Sequence, residues 1–388
     1  GALKFNLRHP ELVNAHDHSA YALGAIDADG NPTKVDKEQF SSVCRECEGY
    51  REIQPDDWGY RNVSFVADVE EPSLKLGETL CEYFRRRLES AEIKLICNFS
   101  VKDVKKYGSK LTVKGEVEYL SFDYVINATG YQALIPTSPE FPLGMDVVYQ
   151  PCLALVYECI DEPPKPPFSY IVMDGWFPCL MPYDDSIVKN EPVSKYILTH
   201  GKFTIIGSYP TAQKAEKSLA AVNDEFINER VKPNCEKEME RFFLGFNERF
   251  LYKKWIGSVL AKVKTDKEFR SAVTFQDNET GIIHIIPGKI NNIFDAGEEV
   301  LSLVGMRKKE PNIIKEVNVI RDGNYSYVAG GTFFAAKDEI TEKPKDLSRN
   351  TCELQPYQNK TTSLFQSPPS NQSVSEICDD RYPCHYHA

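Results

Sequence analysis

Residues 122–134 read FDYVINATGYQAL, and this stretch decides the fold. Tyr124, Val125 and Ile126 form a short aromatic and β-branched run, stopped by Asn127, Ala128, Thr129 and Gly130. A buried parallel strand ending in a glycine turn reads this way, and open α/β sheets take their ligands beyond the carboxyl ends of such strands. Glycine at that place lets backbone come close to a cofactor, because no Cβ intervenes. Taken alone, the segment is more simply a strand followed by an ordinary turn.

Working outward, residues 72–90 carry Leu74, Leu76, Leu80, Tyr83, Phe84 and Leu88 at helical spacing, with Arg and Glu opposite, which predicts an amphipathic helix. Strands are predicted at 63–69, 93–97 and 101–105, and a hairpin pairs 111–114 with 117–120. Further upstream, residues 1–21 read as the end of a helix. Residues 24–57 read as a long surface loop with a short helix around 37–47. Downstream of a proline-rich loop, residues 147–160 (VVYQPCLALVYECI) are apolar and β-rich. Strands at 170–173, 179–182, 196–199 and 203–207 make this block mainly antiparallel. Helices are expected at 214–228 and 232–246, the second with Cys235, Met239, Phe242, Phe243 and Phe246 as a core stripe. Strand is expected again at 259–263 and 272–275.

The second conspicuous element is 281–304, GIIHIIPGKINNIFDAGEEVLSLV. Residues 282–286 form a continuous apolar strand and Pro287-Gly288 a tight turn. Asn291 and Asn292 are placed to cap a helix running to Val304. A hairpin is expected within 317–334, and from Lys337 the polar, Ser/Asn/Gln/Pro-rich chain reads as disordered.

Composition bounds the function. The chain has 388 residues, 41% hydrophobic and 27% charged, which suits two or three layers with real cores. Its net charge of −11 argues against a nucleic-acid partner, since phosphate binding needs clustered Lys and Arg. No apolar run approaches a membrane span, and the first residues lack the apolar region of a secretory signal. Eleven irregularly spaced cysteines fit a reducing cytoplasm better than a disulfide framework. The single C-x-x-C, Cys44 and Cys47, reads as two loop thiols, and no metal is assigned.

As an ordered set, VINATG, LMPYDDS, YILTHGKFTIIGSYPT, EFRSAV and PGKINNIFDAGEEV resemble the FAD-dependent D-amino-acid-oxidase-like superfamily, nearest its glycerol-3-phosphate-dehydrogenase-like branch. The resemblance spans roughly residues 60–304 and implies a mixed α/β (α+β) architecture. That is an incomplete two-dinucleotide-binding FAD domain plus an antiparallel β-sheet substrate domain with helices. The implied divisions are 1–145 for the partial FAD domain, 146–280 for the substrate domain and 281–308 for the return to the FAD domain. A hairpin at 309–336 and a tail at 337–388 follow.

The resemblance implies FAD as cofactor, with Ala128, Thr129 and Gly130 beside its dinucleotide part. It puts Gly288, Lys289, Ile290, Asn291 and Asn292 around the flavin or its substrate face. Pro287 stands where the family has its first Gly, and Asn291 and Asn292 stand where it has two Thr. Reduced flavin carries negative charge that a helix N-terminus suits. Arg270 and Lys289 are candidates for binding an anionic small-molecule substrate, with Tyr183 and His200 as further polar candidates. His284, inside an apolar strand, reads first as a core histidine and second as a catalytic base.

No G-x-G-x-x-G occurs in the 388 residues. The expectation is therefore a chain that lacks the N-terminal pyrophosphate-binding unit and binds FAD weakly or not at all by itself. The leading function is FAD-dependent oxidation of a small amine, alcohol or hydroxy acid by hydride transfer to flavin. The alternative is a binding protein that keeps the substrate-domain scaffold without flavin.

Overall fold

Along residues 147–155, buried side chains alternate with half-buried ones, the period of a strand with one enclosed face. That strand is the spine of the molecule. This computed structural model describes residues 8–13, 18–33, 35–47, 49–71, 74–130, 146–161, 167–173, 175–183, 194–264, 272–288, 292–305, 318–322 and 325–329.

In chain order, β1 (Ser19–Gly24), α1 (Lys37–Arg45), β2 (Arg51–Glu52) and β3 (Val63–Val69) come first. Helix α2 (Gly77–Ser90) leads to β4 (Asp103–Tyr107), β5 (Lys110–Lys114), β6 (Tyr119–Phe122) and the two-residue β7 (Ile126–Asn127). Then follow β8 (Asp146–Cys159), β9 (Ser169–Met173), β10 (Pro178–Pro182) and β11 (Lys195–His200). A helical stretch comprises α3 (Ala212–Ala220), α4 (Asp224–Phe226), a π turn (Ile227–Val231), α5 (Lys232–Phe242) and α6 (Phe246–Arg249). Last come β12 (Phe250–Lys264), β13 (Val273–Asp277), β14 (Ile283–Ile286), α7 (Ile293–Leu303), β15 (Asn318–Asp322) and β16 (Tyr325–Ala329).

These strands make an eight-stranded sheet in the order β12-β8-β11-β10-β9-β1-β3-β2. A five-stranded sheet runs β15-β16-β13-β14-β7, and β4-β5-β6 form a three-stranded meander. The architecture is mixed α/β. The main core lies where one face of the large sheet meets α5 and α6. Leu155, Tyr157, Tyr170, Leu180, Tyr196 and Leu198 pack there on Met239, Phe242, Phe243 and Phe246. Cys235, Met239 and Phe242 recur at helical spacing on one face of α5, and all three are fully buried. A second core joins Val147, Val259 and Val263 of β8 and β12 to Val273, Phe275 and Ile286 of the smaller sheet. The meander packs on the smaller sheet's side of the molecule through Val104, Leu111, Val113 and Ile282.

Several sequence expectations give way to tertiary context. Among the described residues, 93–97 join no ladder, and Ile93 and Leu95 are 54% and 49% exposed. An apolar run becomes a strand only where a neighbour pairs with it, and no described strand flanks this one. Residues 203–207 are not a strand. The Thr204 hydroxyl donates to the His200 carbonyl at 2.8 Å and accepts from the His200 N–H at 3.0 Å, closing a turn and leaving one isolated bridge, Cys152 with Ile205.

The two expected helices divide elsewhere. The first stops at Ala220, and Asn223 caps a new one by accepting from Phe226 N–H at 2.9 Å. Residues 19–21 are strand rather than helix end, and Pro10–Leu12 is a single 3-10 turn. Cys44 is no loop thiol. It sits on the inner side of α1, where burial pushes its pKa up to about 12. The expected disordered tail at 337–388 lies outside the described residues.

Candidate functional site

The site is built at two neighbouring strand ends. β7 and β14 are parallel, with Ile126 beside Ile283 and Asn127 beside His284, so both chains leave the sheet at the same edge. There the Asn127 side chain organises the turn. Its Oδ1 accepts from Thr129 N–H at 3.2 Å and from Thr129 Oγ1 at 2.6 Å. Asx side chains bond in this way to backbone two residues on, which is why Asn suits a strand end. The amide Nδ2 donates to His284 Nδ1 at 3.2 Å, which assigns the imidazole proton to Nε2.

The turn that Asn127 holds is open. Ala128 and Thr129 are exposed, and Gly130 takes φ +70°, the left-handed conformation that favours glycine. An added Cβ on Gly130 would meet nothing within 4 Å. Beside it, Pro287 and Gly288 are exposed past the end of β14. Helix α7 begins directly afterwards, with Asn292 at its N-cap position and buried, though its side chain makes no capping hydrogen bond.

His284 is 4% exposed, its ring stacked on Phe275 at 5.2 Å. Burial pulls its pKa down to about 4, so it stays neutral at physiological pH. His200 is likewise enclosed, with its Nδ1 accepting from Lys202 N–H at 3.2 Å. Burial, with Lys202 and Arg241 nearby, lowers its pKa to about 3. Tyr183 is half-buried just past β10, its backbone N–H donating to Lys195 at 2.8 Å. Arg270, Lys289, Ile290 and Asn291 lie outside the described residues.

Sequence reasoning passed over two features of this region. Glu299, on the buried side of α7 with Ala296, has its carboxyl raised to about 7 by burial, with Asp295 adding to the rise and the Thr274 hydroxyl opposing it. The signal was available, since Asn292, Ala296 and Glu299 recur at helical spacing, but an acidic residue there reads as solvent-facing. The other is an aromatic knot at the start of α7. His9 stacks on Phe294 at 6.4 Å and bonds Tyr83 Oη at 3.0 Å, and the Arg8 guanidinium lies 4.4 Å over Phe294. It ties the first described residues, α2 and α7 together, and no local pattern announces it. Among the described residues, no group of three or more His, Cys, Asp or Glu could hold a metal ion. No helix among them is long and apolar enough to cross a membrane.

No family model matches the chain. It is 39% identical over 366 residues to the FAD-dependent monooxygenase kojA of Aspergillus flavus, an alignment covering 93% of this chain and 83% of that protein. Among solved structures it is similar to iminodiacetate oxidase (IdaA) from Chelativorans, with a TM-score of 0.53 at 9% identity over 80% of each chain. Glycine oxidase from Geobacillus kaustophilus gives a TM-score of 0.50 at 10% identity, covering 79% of this chain and 76% of that one. At these identities the two likenesses show a shared fold alone.

Proposed function

The chain belongs to the family of FAD-dependent monooxygenases represented by kojA, and from that membership we propose that it oxidises a small amine, alcohol or hydroxy acid by hydride transfer to flavin. FAD is the cofactor. The observation that carries the assignment to this site is the pair of open strand ends. Gly130 has free space on its Cβ side, and it lies with exposed Ala128 and Thr129 next to exposed Pro287 and Gly288. Those residues fit a dinucleotide, because among the described residues only backbone and small side chains would meet it.

In this reading Ala128, Thr129, Gly130 and Gly288 lie against the dinucleotide part of FAD, and Lys289, Ile290, Asn291 and Asn292 complete the wall. Bound flavin supplies a two-electron acceptor. The chain's own work is positional. Neutral His284 holds Asn127, Asn127 holds Thr129, and the glycine turn is thereby fixed before any ligand arrives. Enclosed and stacked on Phe275, His284 serves as a positioning residue rather than as the base. Arg270 and Lys289 are the cations of the site.

The test is spectroscopic. Purified protein should absorb near ~450 nm and release FAD on denaturation. Protein that stays colourless after incubation with FAD would sink the proposal.

A further inference from the structure

Helix α7 has a weak grip on the sheet beneath it. Its buried side chains are Ala296, which is small, and Glu299, which is an acid, with Asn292 at the N-cap. In its first turn Ile293 and Asp295 are exposed, while Phe294 is half-buried. Phe294 is therefore the side chain by which that turn can be held from the side.

The hold comes from the aromatic knot at the start of α7. The His9 ring lies nearly parallel to Phe294, with centroids 6.4 Å apart and 10° between the planes, an offset stack. Edge-on contacts to Tyr83 at 5.6 Å and Phe84 at 5.4 Å grip the same ring from α2. The hydrogen bond between His9 Nδ1 and Tyr83 Oη, at 3.0 Å, sets its rotation. The segment carrying His9 is itself anchored. Leu12 is buried, Lys75 N–H donates to its carbonyl at 2.8 Å, and Val13 bridges Leu74. A ring 8% exposed and gripped on several sides passes that anchoring on to Phe294, because close-packed contacts transmit displacement.

Aim matters at this end of the helix. The free N–H groups of the first turn carry a partial positive charge. On the proposed reading they meet the flavin, and reduced flavin is the more negative form. An aligned helix end therefore favours reduced over oxidised flavin, and a helix end that wanders loses that difference. Burial, followed by Arg87, lowers the His9 pKa, so the ring is neutral at pH 7 and adds no charge of its own.

We propose that His9 is a positioning residue for the cofactor. Gripped by Tyr83 and Phe84, it holds Phe294, aims the first turn of α7 at the flavin and so sets how strongly reduced flavin is favoured. The inference rests on the flavin reading and adds to it a residue that acts through Phe294 rather than by touching the flavin.

The test is the two-electron reduction potential of the FAD-loaded protein, with the affinity for FAD measured for each variant. Arg8 stays in place throughout, so the charge beside Phe294 does not change. His9→Ala should bind oxidised FAD within about two-fold of the parent and reduced FAD about ten-fold more weakly, a fall of about 30 mV. Tyr83→Phe removes only the hydroxyl and should shift the potential the same way by less. His9→Phe keeps a ring on Phe294 and should recover most of the parent value. A merely structural role weakens both oxidation states alike and leaves the potential where it was. That result in His9→Ala overturns the proposal, as does a His9→Phe potential no nearer the parent than that of His9→Ala. Should His9→Ala fail to fold, an unchanged potential in Tyr83→Phe overturns it instead. A parent protein that takes up no FAD would sink the flavin reading. Hydrogen exchange across α7 then decides the rest: faster exchange in Tyr83→Phe supports the hold on the helix, and unchanged exchange overturns it.

Discussion

β12 and β7 are both edge strands, and they could hardly differ more. β12 pairs with β8 from Phe250 to Lys264, and its neighbours close over the largest core. β7 pairs over two residues, and Ile126, in that pair, is 45% exposed. One sheet completes itself from its own sequence, whereas the other presents small residues and an open edge. On the proposed reading the main core and the cofactor wall thus lie in different sheets, the usual relation between a rigid scaffold and segments that meet a ligand.

The contrast breaks or sharpens under four measurements. Phe242→Ala empties a fully buried site against Phe177, and urea unfolding should lose about 4 kcal/mol. A cost under about 1 kcal/mol would mean that this core is not the scaffold. FAD at a hundred times its Kd should add about 2.7 kcal/mol. Hydrogen exchange should then slow in β7 and β14 and stay unchanged in β8 and β12; uniform slowing would erase the distinction.

Glu299→Gln tests the buried acid beneath the smaller sheet. The carboxyl is neutral in folded and unfolded chains below 4.5, and its folded value is about 7. Native stability therefore falls as pH climbs through that window and levels off above it. The substitution should stabilise by roughly 2 kcal/mol at pH 8 and by almost nothing at pH 4. Equal gains at both pH values would show that Glu299 ionises freely. Smallest is Asp36→Ala. Asp36 Oδ1 caps α1 by accepting from Glu38 N–H at 2.7 Å, and its loss should cost about 1 kcal/mol without changing FAD affinity.

The self-contained sheet was also the more legible one. Residues 147–160, 170–173 and 179–182 announce their strands as apolar, β-rich runs, and the stripe from Cys235 to Phe246 announces the helix face that covers them. Periodicity works there because burial on one face is what the pattern records. On the cofactor side, Asn127, Gly130 and the 283–286 strand were readable as a strand-and-turn pair, but their partnership was not. Asn127 and His284 are 157 residues apart and meet only because β7 and β14 lie parallel.

By itself, then, the sequence determined the local elements and their chemistry: an Asn to hold a turn, a glycine to open it, an apolar strand before α7. Tertiary structure alone decided that 93–97 joins no sheet among the described residues, that Glu299 is buried and that Tyr21 reaches Glu71. The reason is physical. Periodicity and capping arise from forces within a few residues of chain, whereas exposure, protonation and pairing depend on which distant segment occupies the space alongside.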